Sequence, residues 1–291
     1  LFFIAPILKC LNHSNSDIRN CSYQSFSSLL ALVTLFNFKL ASNDPFEGQK
    51  FTDGSTFLQR AIVEHSFLEQ LFDLKLIAQD PLQVPSCLKV SLRPYQEEGI
   101  KWLRFLHKYN LNGALCDDMG LGKTIQTLVA IFLSTQSSLF GSTHPSLIVC
   151  PATLVGHWEN EILVHFKKNL LPIVYTGSVV ERKRKRKGLQ SGTLPTGTVL
   201  VTSYDVLRND TELFSSFQFD YCVLDEGHLI KNAKTKISQA VRQIQSKHRL
   251  LLSGTPIQNN VLELWALFDF LMPGFLGSES WFNAKYCKAI Q

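Results

Sequence analysis

Two short stretches carry residue types that could do chemistry on a phosphate. The first is CDDMGLGKT, residues 116–124. Its end fits the phosphate-loop pattern G-x-x-x-x-G-K-[ST], but Asp117 stands where the leading glycine belongs. Gly120 and Gly122 would let the backbone turn tightly and bring N–H groups to phosphate oxygens. Lys123 would reach the β- and γ-phosphates of ATP, and Thr124 would hold Mg2+. Asp117, Asp118, Met119 and Leu121 complete the loop and count among the nucleotide-binding candidates. The second stretch is LDEGH, residues 224–228. Asp225 could bind Mg2+ directly or through water, Glu226 could orient or deprotonate the attacking water, and His228 could sense the γ-phosphate. A third stretch, LLLSGTPIQNN (250–260), offers Ser253 and Thr255 as hydroxyl donors able to couple a nucleotide to a nucleic-acid surface. Taken singly, these would be a glycine-rich turn, a solvated acidic turn and a well-formed β-turn. Their context decides.

That context is a series of short apolar runs that alternate with helical patterns. Candidate strands are GALC (113–116), SLIVC (146–150), LPIVY (171–175), TVLVT (198–202), DYCVL (220–224) and RLLLS (249–253). Continuous apolar runs are what strands buried on both faces require, and their alternation with helices predicts a parallel α/β sheet. Ligands of such sheets sit outside the carboxyl ends of the strands. CDDMGLGKT follows GALC directly and leads into TIQTLVAIFL, a buried-helix pattern whose positive end points at the loop. LDEGH follows DYCVL in the same way.

Composition agrees with a folded chain. At 291 residues, 45% hydrophobic and 18% charged, it can hold a full core. The net charge of +5 mildly favours a polyanionic partner. The seven cysteines include no C-x-x-C, so they predict neither a zinc site nor a disulfide framework, and reduced intracellular thiols are expected. No apolar run is long enough to predict a membrane span. The opening LFFIAPILKCL reads as the cut edge of a longer chain. Residues 1–80 show apolar positions at helical spacing around a polar loop at 42–55 and predict the end of a helical-repeat array. Residues 81–91 are expected to form a Pro-marked connector and 92–291 the α/β lobe. Between two candidate strands lies ERKRKRKGLQSG (181–192), whose six consecutive cations, Arg182 to Lys187, predict a disordered loop insertion, either solvated or steering DNA.

In order, LRPYQ (92–96), DDMGLGKT (117–124), CPATLVGHW (150–158), VTSYD (201–205), DEGH (225–228) and LLLSGTPIQNN (250–260) resemble the motifs of the Snf-class, superfamily-two helicase-like ATPases. The resemblance implies the first of two RecA-like motor lobes and an ATP- and Mg2+-dependent motor that tracks double-stranded DNA. Asp117 is ordinary for that class. Gln96 would then read the adenine edge. Thr153, Thr202, Ser203, Lys231 and Asn232 become candidates for DNA contact or coupling, against the plainer reading of surface groups and caps. More narrowly, TLVGHWENE, Gly227 and NNVLELWALFDFLMPGFLG resemble the TATA-binding-protein-associated ATPases. That likeness implies a nuclear protein with TATA-box-binding protein as partner. The sequence to residue 291 supplies no second lobe. A nucleosome remodeller, a repair translocase or a non-catalytic nucleotide-binding fragment remain alternatives.

Overall fold

The structure, a computed structural model, describes residues 84–136, 144–167, 169–190, 194–254 and 261–287, with positions 77 and 82. Leu1–Leu76 and Ile77–Gln291 form two compact units. The expected helices and loop within residues 1–80, and Thr255, lie outside the described residues.

The described part of the second unit is an α/β layer structure, as the strand pattern predicts. It opens with helix α1 (Pro94–Lys108), followed by β1 (Gly113–Leu115) and α2 (Lys123–Gln136). Then come β2 (Ser146–Cys150), a 3-10 turn (Ala152–Leu154), α3 (Val155–Phe166), β3 (Leu171–Val174) and α4 (Val179–Gln190). β4 (Thr198–Ser203), α5 (Tyr204–Asn209), α6 (Thr211–Ser215), β5 (Gln218–Leu224) and a 3-10 turn (Gly227–Ile230) succeed them. The series closes with α7 (Lys236–Arg242), β6 (Gln245–Leu252), α8 (Val261–Leu271) and α9 (Glu279–Phe282). The six strands form one sheet in the order β1-β6-β5-β2-β4-β3, with every pairing parallel.

Burial on both faces drives this arrangement. Leu147, Ile148, Val149 and Cys150 of β2 are fully buried, as are Val199, Leu200 and Val201 of β4. Each such aliphatic side chain contributes about 1.5–3 kcal/mol relative to an exposed one. The core cluster runs through Phe214, Phe219, Ile230 and Phe270, so helices close the sheet. Burial pushes the thiols of Cys150 and Cys222 up to about 12, which keeps both protonated and unreactive.

Two expectations need correction. The strands β5 and β6 begin before the apolar runs that announce them. Gln218 and Phe219 of β5 pair with Gln245 and Ser246 of β6, so a polar stretch, QSKHR, is strand. Apolar content alone is blind to such a stretch, because its ladder depends on backbone groups. The basic run is not a disordered loop: it is helix α4. Ser178 and Glu181 cap it reciprocally, through Ser178 N–H to Glu181 Oε2 at 2.7 Å and Glu181 N–H to Ser178 Oγ at 3.3 Å. Three of the six cations take partners. Arg182 Nε donates to Asp210 Oδ2 at 2.7 Å, Lys185 Nζ to the Val174 carbonyl at 2.9 Å, and Arg186 lies 3.9 Å from Glu212.

Asp210 is the anchor of this helix, because Tyr175 also donates its hydroxyl to Asp210 Oδ2 at 3.2 Å. Asp210→Ala should cost about 1–3 kcal/mol by leaving two part-buried donors without their acceptor. Urea unfolding of the variant chain measures the loss, and a midpoint equal to that of the parent would remove Asp210 from this role.

Candidate nucleotide site

The phosphate loop occupies the carboxyl end of β1, between Leu115 and the first residue of α2, Lys123. Gly120 and Gly122 both adopt positive φ, 83° and 77°, so the loop turns through conformations that glycine alone takes without strain. At Gly122 space is a second constraint: a Cβ there would run into the amide nitrogen of Gln96. Gln96 bridges the start of α1 to the loop. Its Oε1 accepts from Arg93 N–H at 3.0 Å and its Nε2 donates to the Leu121 carbonyl at 3.1 Å. The side chain expected to read adenine therefore buttresses the phosphate loop here. Lys123 folds back on the same loop, with Nζ donating to the carbonyls of Asp117 at 2.8 Å and Asp118 at 2.9 Å. Asp117, the departure from the glycine pattern, accepts from Gln126 Nε2 at 3.3 Å and so tethers the loop to α2. Asp118, Met119 and Gly120 are exposed, and Leu121 and Thr124 are half-buried.

The acidic turn leaves β5. The Asp225 N–H donates to the Val149 carbonyl at 2.8 Å, which extends the β2–β5 ladder up to the carboxylate itself. Asp225 is 9% exposed, and two donors fix it: Trp158 Nε1 to Oδ2 at 2.9 Å, and the Glu226 N–H to Oδ1 at 2.9 Å. Tyr204 donates its hydroxyl to the Asp225 carbonyl at 2.7 Å. Burial and the neighbouring Asp225 charge raise the Tyr204 pKa well above the ordinary tyrosine value, so it stays a donor. Glu226 sits in the left-handed region at φ 53°, ψ 52°, an uncommon place for a residue with a Cβ. Strain of about 1–3 kcal/mol at such a position collects at functional sites. Glu226 Oε2 lies 3.2 Å from His228 Nδ1. Gly227 is enforced by packing, since a Cβ there would collide with the buried side chain of Leu251 on β6.

β6 joins the two stretches. It lies between β1 and β5 in the sheet. The Ser253 N–H donates to the Leu115 carbonyl at 3.2 Å, and a Cβ at Gly254 would stand 3.3 Å from Met119 Cγ. Ser253 is fully buried beneath the phosphate loop. The remaining candidates differ in exposure. Thr153 and Asn232 are exposed, and Asn232 Oδ1 accepts from the Lys234 N–H at 3.0 Å. Lys231 Nζ lies 3.5 Å from Glu263. Thr202 must be corrected as a direct DNA contact, which leaves only the coupling role: it is fully buried, and its hydroxyl donates to the Tyr175 carbonyl at 2.8 Å. Ser203 caps α5, accepting from the Val206 N–H at 3.4 Å.

Sequence reasoning assigned no role to Trp158, Tyr204 or Gln126. Trp158 and Tyr204 stand inside quoted motifs, and the signal available was chemical: a buried indole N–H or phenol needs an acceptor.

The SNF2-related domain family matches residues 95–291, about two thirds of the chain. The chain belongs to the SNF2-related family. Among its relatives, the TATA-binding protein-associated factor mot1 of Aspergillus fumigatus is 45% identical across all of this chain, which covers 15% of that protein. The TATA-binding protein-associated factor 172 of Homo sapiens is 42% identical, with the same two coverages. The SNF2-related chain thus spans about 15% of the length of these curated relatives. A solved Sulfolobus solfataricus SWI2/SNF2 ATPase core in complex with double-stranded DNA aligns with a TM-score of 0.63 at 37% identity, over 72% of this chain and 42% of that one.

The contact between Gly227 and Leu251 generates a direct test. Gly227→Ala in this SNF2-related lobe should destabilise it by about 1–3 kcal/mol through overpacking. In a double-mutant cycle with Leu251→Ala, most of that penalty should vanish, read by thermal or urea unfolding. Additive losses would show that the two positions do not collide.

Proposed function

We propose that this chain is the first motor lobe of an ATP-driven translocase on double-stranded DNA, working in the nucleus to displace TATA-box-binding protein from DNA. The observation that carries the reading is the pair of loops at the carboxyl ends of β1 and β5, the two strands that flank β6. One is a glycine cradle with Lys123 and Thr124; the other is an acidic turn in which both oxygens of Asp225 accept a hydrogen bond and Glu226 holds a strained left-handed backbone. The relatives named for association with TATA-binding protein support that substrate, and the DNA-bound neighbour supports double-stranded DNA as the track.

The residues suit Mg2+ and a triphosphate. Thr124 and Asp225 offer hard oxygen donors, and a carboxylate oxygen that accepts one hydrogen bond keeps a further lone pair for the ion or its water. Bound there, Mg2+ would neutralise phosphate charge. Gly120 and Gly122 leave the backbone N–H groups free of side-chain obstruction, and Lys123 exchanges its two loop carbonyls for phosphate oxygens. Gln96, with Asp117, Asp118, Met119 and Leu121, shapes the cradle. Glu226 orients and deprotonates the attacking water, and His228, beside it, relays the state of the γ-phosphate. Residues 1–80 belong, in this reading, to the end of a helical array that holds the partner.

The whole protein provides the test. Glu226→Gln should retain ATP binding, lose roughly 10²–10⁴-fold in hydrolysis, join the complex of TATA-binding protein with DNA, and fail to dissolve it. A mobility-shift assay on labelled TATA DNA with ATP reads the last two. Dissolution by the variant at the parent rate would overturn the assignment of Glu226, and a parent enzyme that leaves the complex intact would overturn the substrate.

A further inference from the structure

At the opposite edge of the sheet, three side chains from separate elements converge: His107 near the end of α1, Asp220 early in β5 and His248 in β6. One ligand atom of each lies within 4.8 Å of the others, the one such group of three among the described residues. Asp220 is 2% exposed and His248 3%, while His107 is half-buried. The rings of His107 and His248 are 4.4 Å apart, centre to centre.

The pattern of hydrogen bonds is what calls for a ligand. Asp220 Oδ2 and His248 Nδ1 are buried with no hydrogen-bond partner. Each such atom costs about 1–3 kcal/mol, and folded proteins keep few of them. His248 does donate to the backbone at Leu111, and since Nδ1 is unpartnered the donor must be Nε2. That bond fixes the tautomer with a bare lone pair on Nδ1. Metal-binding histidines are held in this way, by a hydrogen bond from the second ring nitrogen. Burial lowers the pKa of both histidines, that of His248 to about 4, so neutral imidazoles are available at neutral pH. Asp220 is the facing anion and Lys247 the facing cation.

We propose that His107, Asp220 and His248 form a site for a divalent transition metal of the Zn2+ class, with solvent completing the shell on the half-buried His107 side. Two imidazoles and one carboxylate favour such an ion over Mg2+ or Ca2+, which prefer all-oxygen shells. Tetrahedral bonds of about 2.0–2.1 Å place ligand atoms roughly 3.3 Å apart, against the present separations within 4.8 Å. The ion would clamp three elements that also lead to the nucleotide site: α1 carries Gln96 in its first turn, and Asp225 and Ser253 directly follow β5 and β6. From Asp220 to Asp225 is roughly 16 Å of strand, so this position is separate from any Mg2+ bound with nucleotide. The cysteine pattern gives no hint of it, because no cysteine takes part.

The test uses the whole protein, stripped with chelator and kept in excess Mg2+, titrated with Co2+. The parent should gain the visible absorption of low-coordinate Co2+, saturating at one equivalent more than in His107→Gln or Asp220→Asn, and Zn2+ should abolish it. The same Zn2+ should raise the melting temperature of the parent and not of the variants, while the metal-free variants melt close to the metal-free parent. Parent and variants with identical Co2+ spectra and stoichiometry would overturn the site and leave a buried water as the partner of these atoms. A His248→Cys variant gives a second reading: a retained site should show a new sulfur-to-cobalt charge-transfer band, and its absence at saturating Co2+ would count against the proposal.

Discussion

The insertion of β6 between β1 and β5 is the constraint on which the site depends. The phosphate loop and the acidic turn are separated by about a hundred residues of chain, and β1 and β5 do not pair with each other. β6 bonds to both, in register from Gly113 opposite Leu250 to Leu224 opposite Leu251. Because the pairings are parallel, all three strands end on the same edge. A slip of β6 by one residue would turn its side chains to the opposite faces, moving Leu251 away from Gly227 and the apolar residues out of the core. Burial of Leu250, Leu251 and Leu252 is therefore what holds the chemistry in place.

Around that frame the polar groups are placed for charge. Asp225 is almost removed from water, yet both of its oxygens accept a hydrogen bond, one from an indole anchored in the core. Such a carboxylate has little freedom to rotate, which lowers the reorganisation needed when a cation approaches. Lys123 differs. Its ammonium rests on two loop carbonyls, neutral acceptors that phosphate oxygens can replace with charge-assisted bonds. One partner is fixed and the other exchangeable, as a site that must bind and release its ligand requires.

Much of this was legible in the sequence. Continuous apolar runs gave the six strands, since a strand buried on both faces cannot be written otherwise, and the Gly-Lys-Thr and Asp-Glu stretches stood directly after two of them. What escaped notice depends on long-range pairing. QSKH, which precedes the candidate strand RLLLS, carries no apolar run to announce it, although its backbone completes the β5–β6 ladder. The basic run reads as a repelling coil, because Asp210 and Glu212, which pair with Arg182 and Arg186, come after another strand. Thr202 reads as a strand-end hydroxyl at the surface, and only the β3–β4 pairing shows it buried against the Tyr175 carbonyl. The convergence of His107, Asp220 and His248 likewise needs α1, β5 and β6 in place before any spacing has meaning.

The central claim is that Lys123 and its glycine loop bind the phosphates of a nucleotide. Calorimetric titration of ATP with Mg2+ into the full-length protein and its Lys123→Ala variant measures it most directly. Loss of one charge-assisted contact should weaken binding by about tenfold or more, with the fold unchanged by circular dichroism. Equal affinity in the two proteins would contradict the account.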